Sequence, residues 1–209
     1  MVDAKLSALG AAGLTDGDKI YVEDSLTSKA ATIAELRTAL GGVGFHPLYI
    51  TDLRVLATNE VVNLAGHGGI VALDSVPILE RTSTTTDKSL RLNWALGVTA
   101  EVYWPPIPMP PDLDETKDVS VHLVAEMDGA IDTPVIDIQA WDGVGDTEMG
   151  GDTASVTDAL IEVSRTLLAA DITGHPLGFL NLQLVPAAHG TDALYLYVAW
   201  LEYIRKKPV

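Results

Sequence analysis

Five histidines, His46, His67, His122, His175 and His189, are the only imidazoles in the chain. No two stand at the i, i+4 spacing that sets two zinc ligands on one helix face. Cysteine is absent, which excludes disulfides, thiolate catalysis and Cys-ligated zinc. Gly66-His67-Gly68-Gly69 has the composition of an oxyanion-hole loop, but no Gly-x-Ser-x-Gly elbow exists to supply a nucleophile. Its glycines read as loop positions with positive φ. Two acidic groups stand out. Asp112, Asp114, Glu115 and Asp118 follow a proline run, and Asp142, Asp146, Glu148 and Asp152 flank Gly143 and Gly145. Oxygen-rich glycine loops hold calcium, and a carboxylate pair cleaves glycosides. Neither group has the spacing of an EF-hand or a calcium-binding nonapeptide repeat. Both read as solvated loops. With no phosphate-binding glycine loop either, the expectation is a protein that is no enzyme and carries no cofactor or metal.

Charge narrows the partners. The 209 residues are 47% hydrophobic and 20% charged, with a net charge of −16, so the chain is globular. From Pro105 to Asp192 there are sixteen Asp or Glu against Lys117 and Arg165 alone. Such a surface repels nucleic-acid phosphates and anionic lipid, and no basic stripe offsets it. No apolar run approaches the roughly 20 residues that span a bilayer. Met1 to Ser7 lacks the charged stretch and apolar core of a signal peptide. Neither nucleic acid nor membrane is an expected partner.

The elements that would position these residues are mostly strands. Residues 1–41 read as a small strand–strand–helix module. Thr15-Asp16-Gly17-Asp18 signals a turn, Lys19 to Asp24 alternates as a strand, and Leu26 to Ala31 returns beside it. Thr32 and Glu35 form a capping box for a helix over Ile33–Leu40, closed by Gly41-Gly42. A unit this short buries too little to stand alone, so it must dock. Its apolar positions Ile20, Tyr21, Val22, Ile33, Leu36 and Leu40 are the docking candidates. Residues 42–89 read as a connector with short strands. From 90 to 207 the alternation is consistently β. It runs through Leu90–Trp94, Val98–Trp104, Val119–Met127, Val135–Trp141, Leu160–Leu168, Leu180–Leu184 and Leu194–Ile204. Short strands at this spacing mean a sandwich or barrel. The run from Trp104 to Pro111 should lie outside the sheets as an extended connector.

The last strand carries the assembly argument. At period two, Leu194, Leu196, Val198 and Trp200 take one face, and Tyr195, Tyr197, Leu201 and Tyr203 the other. A strand apolar on both faces needs two covers. The second is either a loop of the same chain or another copy. Tyr195, Tyr197, Leu201 and Tyr203 are therefore the oligomer-interface candidates.

Two stretches resemble virion proteins of tailed bacteriophages. Leu14 to Asp24 with Ser28 to Leu36 resembles a turn–strand–strand–helix module near the N-termini of phage fibre and capsid-surface proteins. Leu90 to Lys206 is similar to the β-sandwich of head decoration or head-fibre proteins. It is so in Leu90-Arg91-Leu92-Asn93-Trp94, Asp112-Leu113-Asp114, Val119 to Leu123, Leu184 to His189 and Leu194 to Arg205. The resemblance implies a mainly β protein, an antiparallel jelly-roll-like β-sandwich behind a small N-terminal module. It further implies a homotrimer on the capsid exterior that cements the shell through contacts with the major capsid protein. The alternative is a receptor- or carbohydrate-binding fibre protein. That alternative predicts aromatics on exposed loops, whereas Trp94 and Trp141 fall in expected strands.

Overall fold

Period-two alternation becomes two antiparallel sheets whose apolar faces meet. The computed structural model describes residues 19–24, 27–32, 42–57, 60–63, 76–82, 89–141, 148–172 and 178–206. The chain divides into two compact units, 1–42 with 205–209, and 43–204. In the first, β1 (Lys19–Asp24) and β2 (Thr27–Thr32) form an antiparallel hairpin, Lys19 opposite Thr32 and Asp24 opposite Thr27. Ile20, Tyr21 and Val22 lie in β1. The expected helix, with Ile33, Leu36 and Leu40, lies outside the described residues.

The larger unit is an antiparallel, jelly-roll-like β-sandwich. Its strands are β3 (Val43–Leu48), β4 (Arg54–Ala57), β5 (Glu60–Asn63), β6 (Ile78–Arg81), β7 (Leu90–Trp94), β8 (Val102–Tyr103), β9 (Ile107–Pro108), β10 (Val119–Met127), β11 (Ile136–Trp141), β12 (Gly151–Asp152), β13 (Ile161–Leu167), β14 (Phe179–Pro186) and β15 (Leu194–Ile204). One helical turn, α1 (Ala169–Ile172), follows β13. The first sheet runs β13-β10-β15-β7-β6, with β3 also on β15. The second runs β12-β11-β14-β8-β4-β5, with β9 also on β14. The segment read as a connector thus supplies β3 to β6 as integral strands of both sheets. The proline run departs from its expected place outside the sheets. Ile107 and Pro108 pair with Leu180 and Phe179 of β14. Proline is tolerated there because β9 is a two-residue edge strand, where a missing N–H costs no central ladder bond.

The core is one cluster fed by both sheets. Leu92, Trp94, Val121, Leu123, Leu194 and Leu196 come from the first, and Ile136, Ile138, Leu182 and Leu184 from the second. Burying each such side chain stabilises the fold by about 1.5–3 kcal/mol. Two indoles are anchored by their N–H groups. Trp94 donates to the Ala100 carbonyl at 2.9 Å and Trp104 to the Tyr49 carbonyl at 3.0 Å. At one end, two loops clasp each other through carboxylates. Asp132 accepts from the N–H of Thr191 (2.6 Å) and Asp192 (3.0 Å). Asp192 accepts in return from Ile131 (2.7 Å) and Asp132 (2.9 Å).

β15 corrects the expected face pattern. Its pairing with β10 slips between Val124 and Ala125, which face Val198 and Leu196, leaving Tyr197 as an extra residue. A bulge of one residue flips every later side chain to the opposite face. Leu194, Leu196, Ala199, Leu201 and Tyr203 therefore enter the core, while Tyr195, Val198, Trp200 and Glu202 do not. Leu201 is 1% exposed and Tyr203 7% exposed, so neither is available to a partner. Tyr203 lies against Gly44 and donates to Asp112 at 2.9 Å. Tyr195 and Tyr197 do face outward, but their hydroxyls donate to Asp128 and Glu126 of the same chain. Arg91, paired with Glu80 at 2.8 Å, lies 3.5 Å over the Tyr195 ring.

Candidate functional site

Gly66 to Gly69, Asp142, Asp146 and His175 lie outside the described residues. The proline-side carboxylates serve the fold. Asp112 holds Tyr203, Asp114 accepts from the backbone N–H and the hydroxyl of Thr116, and Asp118 accepts from the N–H of Ala169 at the start of α1. Among the described residues, no group of three or more His, Asp or Glu is arranged to hold a metal. His189 is buried, with Nδ1 2.9 Å from the Ala187 carbonyl. His122 points away from the core as alternation demands, yet it is not open to water. Its side chain is 13% exposed, stacked on Trp200 at 5.0 Å and bonded to Glu162 at 2.7 Å.

A different set of side chains converges on the outer face of the second sheet. Alternation buries Ile136, Ile138 and Ala140 of β11 and turns Asp137, Gln139 and Trp141 outward. β14 buries Leu180, Leu182 and Leu184, which puts Asn181 and Gln183 on the same outer face. β8 buries Val102 and turns out Tyr103. β4 buries Val55 and turns out Arg54. The register then builds a straight row across four strands: Gln139 opposite Gln183, Gln183 opposite Tyr103, Tyr103 opposite Arg54. One step along, Trp141 stands opposite Asn181. The face thus presents two aromatic rings, two amides and one guanidinium on neighbouring sites of a rigid sheet, with Gln183 itself buried between them at 6% exposed.

Hydrogen bonds hold this row in place. The Gln183 amide donates to Glu101, and Gln139 donates to Asp137 at 2.8 Å. Burial pushes the Tyr103 hydroxyl well above its ordinary range, and its hydrogen bond to Glu101 adds to the shift. Tyr103 is therefore a neutral hydroxyl at every physiological pH. Arg54 is fixed by two backbone carbonyls, Asp52 at 2.7 Å and Leu53 at 3.0 Å.

The chain leaves β8 through Trp104, Pro105 and Pro106, which wall the face into a cleft of about 410 Å³. Its lining is Arg54, Tyr103, Trp104, Pro105, Pro106, Trp141, Asn181 and Leu182. A second cleft of about 380 Å³ shares Trp104, Pro105 and Pro106 and opens beside Tyr49, which is 62% exposed. Apolar walls with a few fixed polar groups are the usual make-up of a small-molecule or oligomer-binding site.

Sequence reasoning registered Trp141 only as a strand residue and passed over Arg54, Tyr103, Gln139, Asn181 and Gln183. The signal was present in part. Polar and aromatic residues alternate with the core residues of β11 and β14, so they had to share the outer face. That β4 and β8 lie beside β14 is a matter of topology, which no local pattern reports.

No family model matches the chain, and no curated protein does. Solved structures with a similar arrangement include a xylan-binding module, CBM15. It is 9% identical, the match covers 79% of this chain and 99% of that one, and the TM-score is 0.47. A family 30 carbohydrate-binding module is 10% identical, with 79% and 91% covered and a TM-score of 0.45. The C-terminal family 22 carbohydrate-binding module of Clostridium thermocellum Xyn10B is 14% identical, with 81% and 97% covered and a TM-score of 0.44. Likeness at this level says nothing of what this chain binds, which rests on the side chains of its own cleft.

Proposed function

We propose that the β-sandwich is a non-catalytic saccharide-binding domain, with the outer face of its second sheet as the platform. The observation that carries this is the placing of Tyr103 and Trp141 beside Gln139, Asn181 and Arg54 at adjacent register positions of one face, with buried Gln183 as the strut between Gln139 and Tyr103. A sugar ring has an apolar face of C–H groups and a rim of hydroxyls. Aromatic rings take the first, and amides and guanidinium take the second. A pre-formed sheet loses little conformational entropy on binding, which favours recognition of a weakly sticky, well-hydrated ligand. Strands, not loops, carry these aromatics, so the strand position of Trp141 does not count against a saccharide site. Trp94 is fully buried and takes no part.

The test is a glycan array followed by calorimetry on each hit. Trp141→Ala and Tyr103→Ala should each weaken binding about tenfold or more, the scale of losing 1.4 kcal/mol or more of contact, with the melting temperature little changed for Trp141→Ala. A protein that binds no saccharide, or binds equally well without Trp141, removes this reading.

A second reading concerns display. The resemblance to phage head proteins suggests that the domain sits on a capsid exterior as a homotrimer, in contact with the major capsid protein. The observation favouring assembly is the outer face of the first sheet. Phe45 is 61% exposed and Val198 51% exposed, and Pro47 pairs with Trp200 between them. Exposed apolar strips of this kind mark interaction surfaces, and a second copy is the occupant proposed here. Its test is the mass of the protein in solution.

A further inference from the structure

We infer that the ligand of the second-sheet cleft is an acidic saccharide, with a carboxylate seated on Arg54; this rests on the saccharide-binding reading. Among the described residues, the cleft lining contains one charged side chain, and it is a cation. That is the reverse of what the chain would produce by chance, with 29 acidic residues against 13 Lys and Arg. Among the described residues, Arg54 has no carboxylate partner. Its contacts are two carbonyls of its own neighbourhood, Asp52 and Leu53, both made through the same terminal nitrogen. Those bonds orient the guanidinium and, among the described residues, leave its other donors uncommitted.

Among the described residues, the carboxylates of the same sheet face stand outside the cleft, Asp152 opposite Asp137 included. Glu101 is held by Gln183 and Tyr103, Asp137 by Gln139, and neither lines the cleft. The geometry suits a planar anion. A guanidinium offers parallel N–H donors that match the two oxygens of a carboxylate. Arg54 lies opposite Tyr103 and shares the cleft with Trp141 and Asn181. A uronic acid residue can therefore place its ring against an aromatic side chain while its C6 carboxylate reaches the guanidinium. The surrounding negative field makes the cation more selective, because it is the one position in the cleft where an anion is welcomed.

The experiment compares paired ligands on the intact protein. Uronate-bearing oligosaccharides of several backbones are measured beside their carboxyl-reduced neutral counterparts and sulfated analogues, by calorimetry at low and high salt. The expected result is that at least one uronate binds about tenfold tighter than its reduced partner, the scale of a charge-assisted hydrogen bond. That preference should shrink with added salt. Arg54→Gln should erase it, while Arg54→Lys, which keeps the charge but not the fork, restores part of it. Melting curves of the variants show that they fold. Equal affinity for acidic and neutral partners, or an acid preference that survives Arg54→Gln, overturns the inference and leaves saccharide binding intact. A preference confined to sulfated ligands overturns the carboxylate assignment. Binding of no saccharide at all removes the underlying reading with it.

Discussion

Asp132 shows how a single carboxylate can link two distant loops. Its side chain receives N–H bonds from Asp192 and Thr191, and these hold its carboxyl below the usual carboxylate range. A carboxyl whose folded pKa is depressed adds stability that is present above its unfolded pKa, about 3.9. That stability is lost as the pH falls through the folded value. The expected outcome is that Asp132→Ala lowers the melting temperature at pH 7 and flattens the fall in stability below pH 4. Melting curves from pH 2 to 7 check this. Parallel acid limbs for the two proteins would show that the clasp is not the titrating element. Arg54 and Tyr103 belong to the same scale. Each takes its meaning from what surrounds the terminal atoms, a cation with no carboxylate partner among the described residues in one case and a neutral hydroxyl in the other.

Among the elements, β15 organises the first sheet. It pairs with β10, β7 and β3, and its single bulge decides which of its aromatics are buried. Tyr203 reaches the core only because Gly44, its partner on β3, has no side chain. A methyl at Gly44 would fall within the Tyr203 ring, so Gly44→Ala must displace the ring or the strand. Overpacking of this kind costs about 1–3 kcal/mol. The expected effect is a drop in stability of that size, read from denaturant midpoints. Gly44→Ala with Tyr203→Leu should recover part of it, because the smaller side chain vacates the space. No recovery would mean that strain in β3 itself, and not the ring, sets the cost.

At the scale of the whole molecule, the two sheets turn different outer faces to the surroundings. The second sheet carries the cleft. The first carries the apolar strip of Phe45, Pro47, Val198 and Trp200, with Glu162 and Glu202 beside His122. If copies associate through that strip, light scattering should give a multiple of 22.2 kDa, with three copies expected from the phage-like arrangement. Phe45→Ser with Val198→Ser should shift the mass towards one chain while saccharide binding persists. A mass of one chain at high micromolar concentration would remove the assembly reading and leave the cleft untouched.

Alternation in Leu90–Trp94, Val119–Met127, Val135–Trp141 and Leu180–Leu184 is a local property, so the sequence alone determined that these are strands, that the protein is mainly β, and, in Val119–Met127 and Leu180–Leu184, which apolar residues enter the core. Local patterning ends where pairing begins. The bulge at Tyr197 depends on the register between β10 and β15, and only the folded sheet decides it. It moved Leu201 and Tyr203 into the core and Val198 and Trp200 out of it. Short strands were legible within residues 42–89, but β3 to β6 gain their place in the two sheets from partners far along the chain. The cleft is the extreme case. Arg54, Tyr103, Trp141 and Asn181 are spread over four strands that meet only in the second sheet. Their types were legible in the sequence, but their adjacency is a product of strand order, which hydrophobic periodicity does not encode.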